Sequence, residues 1–172
     1  MNPNKPKPSL FTNMQEELSL TGKALNELLQ AVLDKGVPFR FKAKGFSMSP
    51  FIKNDDVITV SPLESFSLYP GQIVAFIHPQ TRKLNVHRII KKKGHSYLIK
   101  GDNSFKTNGH IPIKNIMGHV TRIERRGKKV HFGLGPERHL IAFFSSRGLL
   151  FHLSKPIKKI RSIIKKRGSQ YG

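Results

Sequence analysis

Phe39-Arg40-Phe41-Lys42-Ala43-Lys44 runs directly into Gly45-Phe46-Ser47-Met48-Ser49-Pro50, and the fold is decided by how these two sextets are read. In the first, apolar and basic residues alternate, which is the period of a half-buried β-strand. In the second the alternation stops. Gly45 leaves the backbone unshielded and Pro50 stiffens it, so Ser47 is expected on a turn at a strand end, where its hydroxyl can meet a ligand. A lone serine of this kind ordinarily just completes a turn. Two later stretches give it a chemical setting: Val86-His87-Arg88-Ile89-Ile90 and Lys100-Gly101-Asp102-Asn103.

Outward from this stretch the same short-run pattern continues from Val37 to about His131, rich in Val, Ile, Phe and Tyr and punctuated by Gly, Pro, Asn and Asp. Expected strands are Phe39–Lys44, Val57–Ser61, Ile73–Ile77, Asn85–Ile90, Tyr97–Lys100, Ile116–Glu124 and Lys129–Phe132. The turns Tyr69-Pro70-Gly71, His78-Pro79 and Arg126-Gly127 suit hairpin connections. The fold class is therefore mainly β, a curled antiparallel sheet or small barrel, carrying an N-terminal helical segment and a basic C-terminal helix.

Four segments follow from the composition. Residues 1–11 form a Pro/Lys-rich tail with nothing apolar to bury, read as disordered. Residues 12–36 read as helical: Thr12 and Gln15 have capping-box spacing, Met14, Leu18, Leu25, Leu28, Leu29, Val32 and Leu33 follow near helical period, and Gly22 is a candidate break. Gly36 and Pro38 end it. Residues 37–135 read as the β domain that holds Ser47, His87 and Asp102, and 136–172 as a basic amphipathic extension. Within the extension, Pro156–Arg167 sets Ile157, Ile160, Ile163 and Ile164 on one helical face and Lys or Arg on the other.

Charge and composition bound the function. The 172 residues, 37% of them apolar, suffice for one modest core. With no cysteine, thiol catalysis, disulfides and cysteine-ligated zinc are excluded. His110, His119 and His131 lack metal-site spacing, so neither metal nor cofactor is expected. A formal charge of +21 attracts polyanions. Pro156–Arg167 suits either an anionic membrane surface or packing of its isoleucines on the domain with its charges solvated, and nucleic acid ranks behind the membrane as the polyanion. The N-terminus lacks the apolar run of a secretory signal, and no segment is long enough to span a bilayer. A cytoplasmic protein, or one peripheral at the cytoplasmic membrane, is expected.

A serine hydroxyl needs a base, and the base needs an orienting partner. His87 falls in an expected strand and Asp102 in a turn one hairpin away, so His87 can take the Ser47 proton while Asp102 fixes the imidazole tautomer. Taken singly, His87 is an ordinary strand residue and Asp102 a turn-former.

Together, Gly45–Pro50 with Asn54-Asp55-Asp56-Val57, then Pro70-Gly71-Gln72-Ile73-Val74-Ala75-Phe76, Val86–Ile90 and Lys100–Asn103 resemble the four ordered sequence boxes of type I signal peptidases, from about Gly45 to Val120. The third box holds lysine in the bacterial form and histidine in the endoplasmic-reticulum and archaeal form, and His87 is similar to the latter. The resemblance implies a serine endopeptidase acting on a peptide or preprotein and cutting after small residues, as in Ala-X-Ala. Catalytic roles would fall to Ser47, His87 and Asp102, and oxyanion or substrate contacts to Gly45, the Ser47 N–H and Met48, the last near substrate or a lipid-facing edge. The chain departs from the pattern in lacking the usual membrane anchor, in placing Asn108 where the histidine type often has a further aspartate, and in reading Asn54-Asp55-Asp56 where Gly-Asp is usual.

Two other readings compete. Repressor-type self-cleaving proteases share the serine box but use lysine as base, carry an N-terminal DNA-binding domain and cut an Ala-Gly or Cys-Gly bond; this chain has neither that dipeptide nor room for that domain. A non-catalytic basic module would grip nucleic acid or lipid through Lys91-Lys92-Lys93 and Arg125–Lys129, runs that otherwise serve as solvated hairpin tips.

Overall fold

The computed structural model describes residues 22–63 and 68–149. In chain order these form α1 (Gly22–Asp34), β1 (Phe39–Lys42), β2 (Val57–Pro62), β3 (Ile73–Ile77), β4 (Leu84–Lys93), β5 (Ser96–Lys100), β6 (Thr107–Pro112), β7 (Ile116–Arg125), β8 (Lys128–Val130) and α2 (Arg138–Ser146), with a single 3-10 turn before β7. The tail, the Thr12 capping box and the amphipathic stretch Pro156–Arg167 lie outside the described residues.

All pairings are antiparallel and run β1-β2-β7-β3-β4-β5-β6, with β8 on β7. Of the two expected forms the open, curled sheet is the one found: β1 and β6 are its edges, and among the described residues they do not pair with each other. Curling has local causes, since the register slips at Thr59/Val60, Ala75/Phe76, Ile89/Lys91 and Leu98/Lys100, and each bulge bends its strand.

The centre of the sheet is covered on both faces. Ile73 and Ala75 of β3 join Leu29, Leu33, Met48, Ile52, Ile58 and Ile123 in one cluster. Val74 and Phe76 point the other way, to Ile89, Tyr97, Ile99 and Ile111. That is why Ile73–Ile77 is continuously apolar while β1, at an edge, alternates. Burying a side chain such as Phe76 contributes about 1.5–3 kcal/mol.

Six of the seven expected strands begin or end within one to three residues of their observed limits, and Ile73–Ile77 has the same limits. The addition is β6. Thr107-Asn108-Gly109-His110-Ile111-Pro112 has no apolar alternation because it pairs only with β5 and buries only Ile111. Helix α1 packs on β1, β2 and β7; Gly22, the candidate break, is the first residue of the described segment. Helix α2 was not separately expected within the C-terminal extension; it packs on β4. No helix among the described residues is long and apolar enough to cross a membrane.

Candidate active site

The Ser47 turn is tied down from both sides. Gly45 has φ +95°, a left-handed conformation that favours glycine, and its N–H donates to Asn54 Oδ1 at 2.9 Å. The Ser49 N–H donates to the Phe46 carbonyl, and the Phe51 and Ile52 N–H groups both donate to that of Met48. Behind the turn, Arg125 donates to both Asp56 oxygens, at 2.9 and 2.7 Å, and to the Phe51 carbonyl at 3.0 Å. The Asn103 N–H and side-chain amide then donate to the carbonyls of Ser47 (2.7 Å) and Phe46 (3.0 Å), joining the Gly101–Asn103 turn to the serine turn.

Across this junction His87 Nε2 lies 2.8 Å from Ser47 Oγ. His87 Nδ1 lies 2.7 Å from Asn108 Oδ1, on β6. The amide oxygen can only accept, so Nδ1 carries the proton, Nε2 presents its lone pair, and the serine hydroxyl donates to it. Burial holds the His87 pKa below the ordinary histidine value, opposed by the Asn108 bond, so the imidazole is neutral near pH 7. A hydroxyl beside a neutral, oriented imidazole has the arrangement of an activated nucleophile.

Ser47 and His87 therefore come together as expected, whereas Asp102 does not take the place assigned to it. Both Asp102 oxygens are engaged by Arg88, with Nε 3.0 and 3.2 Å and one terminal nitrogen 2.8 Å away. The other terminal nitrogen of Arg88 donates to the Gly71 and Gly133 carbonyls at 2.7 and 3.0 Å, and Phe51 packs against the guanidinium, 5.3 Å from ring centre to Cζ. Arg88 is fully buried and Asp102 nearly so. Burial pushes the Asp102 carboxyl above its ordinary pKa, and the Arg88 charge and hydrogen bonds pull it back. The pleat is the reason for the exchange: His87 and Arg88 are adjacent on β4 and face opposite ways, and the aspartate follows the arginine.

Gly101 is the closest point of the junction. A Cβ there would stand 2.7 Å from the Ser47 carbonyl oxygen and 3.2 Å from His87 Nε2, so only glycine fits. The signal in Lys100-Gly101-Asp102-Asn103 was thus real but differently divided: Gly101 gives clearance, Asn103 fastens the serine turn and Asp102 braces Arg88. Arg88 and Asn103 went unassigned in the sequence; a charged residue inside an otherwise apolar strand was the available sign for the first. Met48 is buried in the core and lines the groove floor, which is compatible with the first of its two expected places, near substrate or at a lipid-facing edge. Lys100 is also buried, and its ammonium donates to the Ser145 carbonyl at the end of α2, away from Ser47.

A groove of about 850 Å³ opens from Ser47 and His87. Its floor includes Phe41, Ala43, Met48, Ile52, Leu84 and Val86, and the first turn of α1 closes one side. Among the described residues β1 pairs only with β2, and β4 pairs with β5 only from Arg88 onward, so the two strand segments that line the groove each keep an unpaired edge.

A serine–imidazole pair stands at one end of a groove flanked by two open strand edges, and this is the candidate active site. The chain belongs to the Peptidase S24-like family, whose match spans residues 13–121 and whose members include signal-peptidase-like and repressor-type self-cleaving proteases. No curated protein matches the chain.

Proposed function

We propose that this protein is a serine endopeptidase of the histidine-base, signal-peptidase-like type, with Ser47 as nucleophile, His87 as general base and Asn108 as the group that orients the imidazole. The observation that carries this reading is the chain of two short contacts, Ser47 Oγ to His87 Nε2 at 2.8 Å and His87 Nδ1 to Asn108 Oδ1 at 2.7 Å. In the first half-reaction the Ser47 proton passes to Nε2 as Oγ adds to the scissile carbonyl. The imidazolium then protonates the departing amine, leaving an ester on Ser47. Water, deprotonated by the same nitrogen, hydrolyses that ester and restores the hydroxyl. The Ser47 N–H is assigned to the developing oxyanion, a type of contact that contributes about 3–4 kcal/mol in other serine peptidases.

Against a lysine-base, repressor-type mechanism stands the direction of Lys100, whose ammonium is held at Ser145 while an imidazole occupies the position facing the serine. The substrate would lie as an extended strand between the free edges of β1 and β4, with a small residue ahead of the cut, as the signal-peptidase resemblance implies. The test is cleavage of an Ala-X-Ala preprotein segment by the purified chain, followed by mass spectrometry. Loss of cleavage in both Ser47→Ala and His87→Ala supports the assignment, and full activity in His87→Ala overturns it.

We further propose contact with an anionic membrane surface through Pro156–Arg167. Supporting it are the exposed Leu140, Phe143, Phe144 and Leu149 on the chain leading into that segment. Flotation with vesicles containing phosphatidylserine should carry the full chain, and Lys158→Gln with Lys159→Gln and Arg161→Gln should reduce it. Equal flotation sinks the idea.

A further inference from the structure

The groove's rim has a charge character distinct from its floor. Among the described residues Lys23, Lys42, Lys44, Arg82 and Lys83 line it with one carboxylate, Glu27, which lies 3.8 Å from Lys23, so positive side chains stand on both walls. Lys42 and Lys44 are the exposed positions of the alternation whose half-buried partners, Phe41 and Ala43, form floor. On the facing wall, Arg82 and Lys83 end the β3–β4 connection, whose backbone is fixed: the Arg82 N–H donates to the His78 carbonyl, the His78 N–H to that of Lys83, and the Asn26 amide of α1 to that of Arg82 at 3.3 Å. Among the described residues neither Arg82 nor Lys83 pairs with a carboxylate. Lys44 meets Asp55 at 2.7 Å, but both are well exposed, and such pairs exchange partners at little cost.

We propose that this groove selects an extended peptide in which apolar and acidic side chains alternate. The proposal deepens the peptidase reading and rests on it. A strand added between β1 and β4 turns successive side chains to opposite sides. One set enters the floor beside Met48 and Val86, and the other stands at the level of Lys42, Lys44, Arg82 and Lys83. Carboxylates there gain attraction from both walls, and uncharged amides of the same shape do not.

The probes are two fluorescent decapeptides alternating alanine or valine with glutamate in one and with glutamine in the other. Their affinity for the full-length Ser47→Ala chain is read by anisotropy, and their kcat/KM by cleavage with the unaltered chain. At low salt the glutamate peptide is expected to bind about tenfold more tightly, with the preference fading near 1 M salt, where screening acts within about 3 Å. Arg82→Glu with Lys83→Glu should remove it. Lys91→Glu with Lys93→Glu, an equal charge change at the exposed end of β4 away from the groove, should not. Equal affinities, or equal losses in the two double variants, would overturn the proposal. A preference in binding without cleavage of either peptide by the unaltered chain keeps this inference and removes the peptidase reading; cleavage of both without preference does the reverse.

Discussion

His87 and Arg88 are neighbours on one strand, yet they organise two unlike polar sites. On the His87 side all the groups are neutral: a hydroxyl that can give up a proton, an imidazole that can take one, and an amide that accepts a hydrogen bond from the imidazole, at the end of an open groove. On the Arg88 side an arginine–aspartate ion pair is sealed from water and fastened to the backbone at Gly71 and Gly133. In the proposed function the first passes a proton because its members are uncharged at rest. The second holds the strand, the Gly101 turn and the segment entering α2 in one arrangement because its members are not. A serine, a histidine and an aspartate in one constellation need not form one relay.

The sharpest way to break this contrast is to damage each side alone. Ser47→Ala or His87→Ala should lower kcat/KM by about a thousandfold or more while the melting temperature stays within about 2 °C, measured by scanning calorimetry. Arg88→Met should instead unfold the protein in part, costing about 3–5 kcal/mol in urea titration by leaving the Asp102 carboxylate buried without its partner. Adding Asp102→Leu to Arg88→Met should recover some of that stability. If Asp102→Asn alone removed activity with stability intact, the aspartate would belong to the relay after all.

A smaller effect is expected at Asn108. Asn108→Ala should cost about 10- to 100-fold in kcat through loss of imidazole orientation, with KM little changed. Asn108→Asp should move the acid limb of the kcat/KM profile upward, because a carboxylate beside Nδ1 favours the imidazolium.

The pH dependence of the unaltered protein is the most delicate comparison. Burial depresses the His87 pKa, so the acid limb should have its midpoint below about 6.5. The same shift bears on stability. The unfolded chain takes up this proton more readily than the folded one, so the contribution is present above the unfolded value and is lost as pH falls through the folded pKa. A limb near the lysine range would point to a different base.

How much was legible in advance differs between the two sides for a physical reason. Ser47 and His87 stood out because a turn signal follows an alternating strand and because their stretches lie in order with two others. Asn108 was noticed only as a substitute for an aspartate, and its strand was missed, since an edge strand with one buried residue writes almost no periodic pattern. Without β6 in place, Asp102 was the nearest available acid for the imidazole.

The sequence by itself determined the antiparallel β character, the candidate nucleophile and base, and the strongly basic surface, because alternation, turn residues and net charge are local or additive properties. Only the tertiary structure decided that the sheet stays open, that Asn108 rather than Asp102 meets the imidazole, and that Arg88 takes the aspartate inside. Those outcomes depend on register and on which face of the pleat each side chain occupies, and a bulge of one residue is enough to change both.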